Sequence, residues 1–139
     1  MSLPALDNLV RTGQLKAEAR NDADVARLLR MARTRIADAR LVGASLEGRF
    51  TSAYNAAHAA ALAALRWHGY RSDNRYIVFQ CLTHTLNWTA PQWRVLDAAL
   101  KKRNIAEYEG FLEVEESTIA ELCALTETLI AGVNILVES

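Results

Sequence analysis

The run WRVLDAALKKRNIAEYEG, residues 93–110, holds the side chains best placed to do chemistry. At 3.6 residues per turn Trp93, Leu96, Leu100, Arg103, Asn104, Glu107 and Tyr108 share one helix face, so a stripe that begins apolar turns polar in its last two turns. Polar groups in a core-facing stripe must be satisfied by each other, by a partner chain or by a ligand. The planar fork of Arg103 suits a phosphate, and Tyr108 offers a hydroxyl or a stacking face to a base. The same residues also suit a solvated helix end. Arg103 with Glu107 makes an i, i+4 ion pair, and Lys101, Lys102 and Arg103 complement the helix dipole.

Three histidines remain. His58 is the best placed to reach a central cleft, against the plainer reading of a hydrogen-bonded, partly buried histidine; His68 falls just before Gly69 where a capping or core role is expected, and His84 has no distinguishing context. Arg71 and Arg75 bracket a polar turn with Asp73 and Asn74, either extending a basic surface toward Arg103 or forming a solvated connection capped by Asp73. No metal site is expected: Glu-x-x-His pairs are absent, and Cys81 and Cys123 lack a nearby second thiol. Phosphate-cradling glycine loops, G-x-S-x-G turns and H-E-x-x-H helices are also absent, and no cofactor is implied.

The elements that must position these groups are helical almost throughout. A short helix near residues 3–12 stops at Gly13. A second starts after Asn21 and runs to about Leu41 with Val25, Leu28, Leu29, Ala32, Ile36 and Ala39 as its stripe, its arginines forming a solvated outer face. Ser45 opens a third helix that ends at Gly69. Between Ala53 and Ala64 it is mostly alanine, so neighbours can approach its axis closely, and it is predicted to be central, with Phe50, Tyr54, Ala57, Ala61, Ala64 and Leu65 as its stripe. A fourth helix over residues 73–86 is apolar nearly all round, a fifth starts at Thr89 and Pro91, and the last spans about residues 115–137. No convincing strand remains. The reading is an all-α, up-and-down bundle of five to six helices in a single domain, residues 1–139, with the core bundle over about residues 16–138.

The chain has 139 residues, 51% of them apolar types, enough for a sizeable core and too apolar for a disordered tail. Two distant cysteines imply no disulfide framework and a reducing compartment, and the first residues carry no leader pattern. The longest apolar-rich stretches fall short of the ~20 residues that span a bilayer. A cytoplasmic protein without a membrane partner is expected.

An alanine-rich helix containing AYNAAHAAALAALRWHGYR, a further apolar helix, and LDAALKKRNIAEYEG leading into a final amphipathic helix together resemble the HEPN domains over residues 16–136. The resemblance implies a homodimer whose facing helices bring two copies of the arginine motif into one cleft. Many HEPN proteins are metal-independent ribonucleases of toxin-antitoxin or phage-defence systems; others are non-catalytic or act beside a small nucleotidyltransferase. In the nucleases the motif is arginine, an often polar residue, and a histidine after four to six intervening positions. Arg103 and Asn104 match, whereas Tyr108, Glu109 and Gly110 occupy the histidine positions. Tyrosine, with a reference pKa of ~10, is a poor general acid-base group.

The expectation is therefore RNA or nucleotide binding by Arg103, Asn104, Glu107 and Tyr108, with Tyr54 and Arg71 contributing, and with ribonuclease activity degraded or absent. A non-catalytic interaction module is the alternative. Residual cleavage by Arg103 and Tyr108 would draw on His58 from another helix.

The formal net charge of zero hides an asymmetry relevant to a phosphate partner. All 16 Lys and Arg lie in residues 1–103 with eight acids, while residues 104–139 hold eight acids and no base. Zero is thus +8 against −8. The sign changes inside the arginine motif, and the acidic last helix either shields the basic part, docks against it or faces solvent.

Overall fold

The structure, a computed structural model, describes residues 3–139. Its elements run α1 (Pro4–Arg11), β1 (Lys16–Ala17), α2 (Asp22–Ala39), α3 (Leu46–Trp67), β2 (Tyr70–Arg71), α4 (Arg75–Gln80), α5 (Leu82–Thr85), α6 (Ala90–Glu109) and α7 (Glu116–Glu138). The chain is predominantly helical. The cap signals act where expected: Asn21 Oδ1 accepts the Asp24 N–H at 3.1 Å, Ser45 Oγ accepts the Gly48 N–H at 3.0 Å, and Gln92 Oε1 accepts the Thr89 N–H at 3.0 Å. Gly110, with φ of 83°, closes α6 in the left-handed conformation that glycine adopts without strain.

The alanine-rich α3 is the central element, touching α2, α4, α5, α6, α7 and β2. Alanine projects little bulk and gives up no side-chain rotamers on burial, so α2 and α7 pack close to the α3 axis. Ala53, Ala56, Ala57, Ala59, Ala60, Ala61, Ala63 and Ala64 are all buried. Larger side chains fill the remaining space, with Phe50, Tyr54, Leu65 and Phe79 in a cluster that extends from Leu6 to Val133.

Three sequence readings need correction. A two-stranded antiparallel ladder exists where no strand was expected, pairing Lys16 with Arg71 and Ala17 with Tyr70. It carries no alternating pattern because tertiary contacts make it. Gly69 turns the chain at φ of 90°, its carbonyl accepts the Glu18 N–H at 2.9 Å, and the Tyr70 hydroxyl donates to Asp7 of α1. The fourth helix is two pieces, α4 and α5, joined at Cys81, whose carbonyl takes the His84 N–H three residues on, at 2.8 Å. Asn74, rather than Asp73, caps α4 by accepting the Ile77 N–H at 3.2 Å.

α7 has the length and mean hydropathy, 1.6 over an 18-residue window, of a helix able to cross a membrane, more than its short apolar runs suggested. Its buried residues, Ile119, Leu122, Cys123, Thr126, Leu129, Ile130 and Val133, form one stripe turned into the core. Both cysteines are free and buried. The acidic last helix docks on the basic part of the chain: Arg40 meets Glu127 at 2.7 Å and Arg49 meets Glu116 at 3.0 Å.

Candidate functional site

α6 divides into two halves. Trp93, Leu96, Asp97, Ala99 and Leu100 are buried, whereas Asn104, Glu107 and Tyr108 are exposed, so the polar end of the stripe does not enter the core of this chain. Tyr108 is 95% exposed. The helix continues to Glu109 without fraying, which keeps Arg103, Asn104 and Glu107 in helical register.

Arg103 is held by its neighbours. One guanidinium nitrogen lies 2.7 Å from a Glu107 carboxylate oxygen and the other donates to Asn104 Oδ1 at 3.3 Å, while its Cζ sits 5.5 Å from the centroid of the Tyr54 ring. Tyr54, from the first half of α3, is fully buried and is the floor of the cluster rather than a surface for a ligand. Its hydroxyl accepts from Arg75 Nη1 at 3.3 Å, and the Arg75 Cζ lies 5.7 Å from the same ring. Arg75 stands in the first turn of α4, placed there by the Asn74 cap. Two guanidinium groups therefore converge on one aromatic ring.

His58 follows Tyr54 by one turn of α3 and packs edge-on against Phe79, with ring centroids 5.9 Å apart. Burial above all, then the positive charges of Arg75 and Arg103, lower its pKa to about 4. The imidazole is neutral at neutral pH and can still donate one hydrogen bond and accept another. Tyr54 and His58 of α3 and Arg103 of α6 are thus brought together, and Arg75 of α4 joins them.

Arg71 and Tyr108 are not part of this cluster. Arg71 is tied into the small ladder with its guanidinium 3.7 Å from Glu18, beside the buried Arg66. Of the two arginines bracketing the polar turn, Arg75 is the one that reaches the Tyr54 ring that Arg103 also meets. Tyr108 projects into solvent. His68 is the C-cap residue of α3, and burial lowers its pKa. His84 is exposed. Among the described residues no group of three or more His, Cys, Asp or Glu is arranged to hold a metal ion. The buried Asp97, paired with Lys101 at 3.1 Å, carries no sequence signal beyond its i, i+4 spacing.

On its α3 side Arg103 borders a groove of about 420 Å³ that also touches Thr51, Asn55, Glu107 and Phe111. Arg103 accordingly has two neighbourhoods, a basic one shared with Arg75 and His58 and a mixed one along the first turns of α3. No protein-family model matches the chain, and no curated protein or solved structure matches it.

Proposed function

We propose that the chain is a HEPN-like, up-and-down helical bundle that dimerises and binds RNA or a nucleotide through a phosphate held by Arg75 and Arg103, with ribonuclease activity degraded or absent. The observation that carries this reading is the convergence of two guanidinium groups on Tyr54 beside a neutral His58. A phosphate there receives two forked donors and the imidazole N–H, and its negative charge balances two guanidinium groups that share the single carboxylate of Glu107 on the Arg103 side.

Glu107 competes for the same arginine. It is 63% exposed, so its release costs little, and a phosphate with more charge and more acceptor oxygens displaces it. Cleavage is disfavoured by the same electrostatics. A base titrating near 4 is far from the neutral range that general acid-base catalysis of RNA cleavage requires. Metal-free incubation with total RNA is expected to give the same profile for the protein and for buffer.

Titration with a labelled single-stranded RNA tests the binding. Arg103→Ala and Arg75→Ala are each expected to weaken affinity by ~10-fold or more, the worth of a hydrogen bond to a charged group. Glu107→Gln should tighten it, and each arginine effect should shrink as salt rises. Equal affinities across wild type and both alanine variants contradict the reading.

Dimerisation is supported by the outer face of α6. Ala98, Lys101, Ile105 and Tyr108 recur at alternating spacings of three and four and are all exposed, the pattern of a helix seam without a partner in this chain. Two such helices face to face pair the exposed faces of α6, while Arg103, about 160° round the helix from Ile105, stays on the side turned to Tyr54 of α3. Ile105→Glu, which puts a charge in the middle of that seam, is expected to give a monomer by light scattering where wild type is a dimer. A wild-type monomer at micromolar concentration removes this part of the reading.

A further inference from the structure

A second surface lies at the start of α3. The first turn of α3 and the α6–α7 linker face each other across a groove of about 900 Å³, walled by Leu46 and Glu47 on one side and by Leu112, Val114 and Glu115 on the other. It continues past Glu47 and Leu112 toward Phe111. The linker is fixed rather than loose: Lys102 Nζ donates to the Glu113 carbonyl at 3.0 Å and Arg49 grips Glu116.

Two independent features single this groove out. Among the described residues Leu46, 38% exposed, lines the groove and Phe111, 57% exposed, lines its continuation, beside the half-buried Leu112 and Val114. The rim is also acidic. Glu47, Glu113 and Glu115 line the larger part of the groove against Lys102, which donates to the linker carbonyl, and Arg103 in its continuation is paired with Glu107. A surface that combines apolar anchors with unbalanced carboxylates repels nucleic acid and favours the opposite chemistry.

The geometry points to a docking groove for a basic amphipathic peptide segment of a partner protein, its apolar side chains seated between Leu46, Leu112 and Val114 and its Lys or Arg residues on Glu47, Glu113 and Glu115. This is the helix-in-groove mode of recognition. A second copy of this chain fits less well. Its most basic exposed helix face, around Arg30 and Arg33 of α2, carries Met31 as its one exposed large apolar side chain.

A charge-swap binding experiment tests the proposal. The probe is a labelled synthetic helical peptide with Leu at i, i+3, i+4 and i+7 and Arg on its flanks, compared with versions carrying Glu for Arg or Ser for Leu. The intact protein is expected to bind the Leu/Arg peptide saturably and both control peptides at least ~10-fold more weakly. The double variant Glu47→Lys/Glu113→Lys, both changes lying at exposed positions, is expected to lose ~10-fold for the Arg peptide and to gain for the Glu peptide. Absence of saturable binding, equal binding of the Arg and Glu peptides, or unchanged affinity in the double variant overturns the proposal. A fall in molecular mass on Leu112→Ser, measured by light scattering, assigns the groove to a second copy instead and equally overturns it.

Discussion

Acidification from pH 7 to pH 4.5 is expected to destabilise the fold through His58 by up to about 3 kcal/mol, and His58→Gln is expected to remove that part of the loss. The imidazole titrates at about 4 in the folded chain, against 6.5 as its ordinary value. Above 6.5 both folded and unfolded chains hold it neutral, and stability is at its full value. As the pH falls through 6.5 the unfolded chain takes up a proton that the folded chain refuses. Stability then declines until the folded pKa is reached near 4. The refusal comes first from burial, with the ring edge-on against Phe79, and then from the charges of Arg75 and Arg103. Urea midpoints at the two pH values, for wild type and His58→Gln, check it. His68 contributes in the same direction in both proteins and does not affect the comparison. An identical pH dependence in the two proteins contradicts the placement of His58.

Arg66→Ala is expected to cost roughly 3 kcal/mol, as removal of one partner from a buried charged network does. Arg66 lies on α3 and is 5% exposed. Its guanidinium donates to the carbonyls of Glu18 and Ala19 at 3.1 and 3.3 Å and reaches the Glu18 carboxylate at 3.1 Å. These bonds fasten the segment between β1 and α2 to the central helix, and alanine leaves two backbone carbonyls with no donor in a half-buried place. Glu18→Gln keeps the carbonyl bonds and is expected to cost far less, since the Glu18 side chain is about half exposed. Chemical denaturation of the three proteins tests both statements. An Arg66→Ala change within about 0.5 kcal/mol of wild type contradicts the anchoring role, because that is the range of ordinary surface substitutions.

Much of the framework was legible in the sequence, for local reasons. The central place of α3 follows from its alanines, and the starts of α2, α3 and α6 follow from Asn21, Ser45 and Thr89, each acting within its own helix. The Lys16–Arg71 ladder was not legible, because it depends on contacts made far along the chain, and the break at Cys81 falls in an apolar run with no proline or glycine to mark it. The candidate site divides in the same way. Arg103, Asn104 and Glu107 announce themselves by helical spacing, while the union of Arg75 with Tyr54 and His58 joins α4 to α3 and has no periodic signature. Tyr54 lies buried on the apolar stripe of α3 where periodicity placed it, and that burial makes it the floor of the cluster rather than a surface for a ligand. The docking of the acidic α7 on Arg40 and Arg49 selects one of the alternatives left open by the charge asymmetry.

The central claim is that a phosphate sits between Arg75 and Arg103 next to His58. The imidazole resonances of His58, followed by NMR as a function of pH with and without a saturating single-stranded RNA, test it most directly. An anion between the two arginines cancels the charges that oppose protonation, so the account expects His58 to titrate near 4 in the free protein and clearly higher in the complex. A His58 pKa that stays where it was while RNA is bound contradicts it.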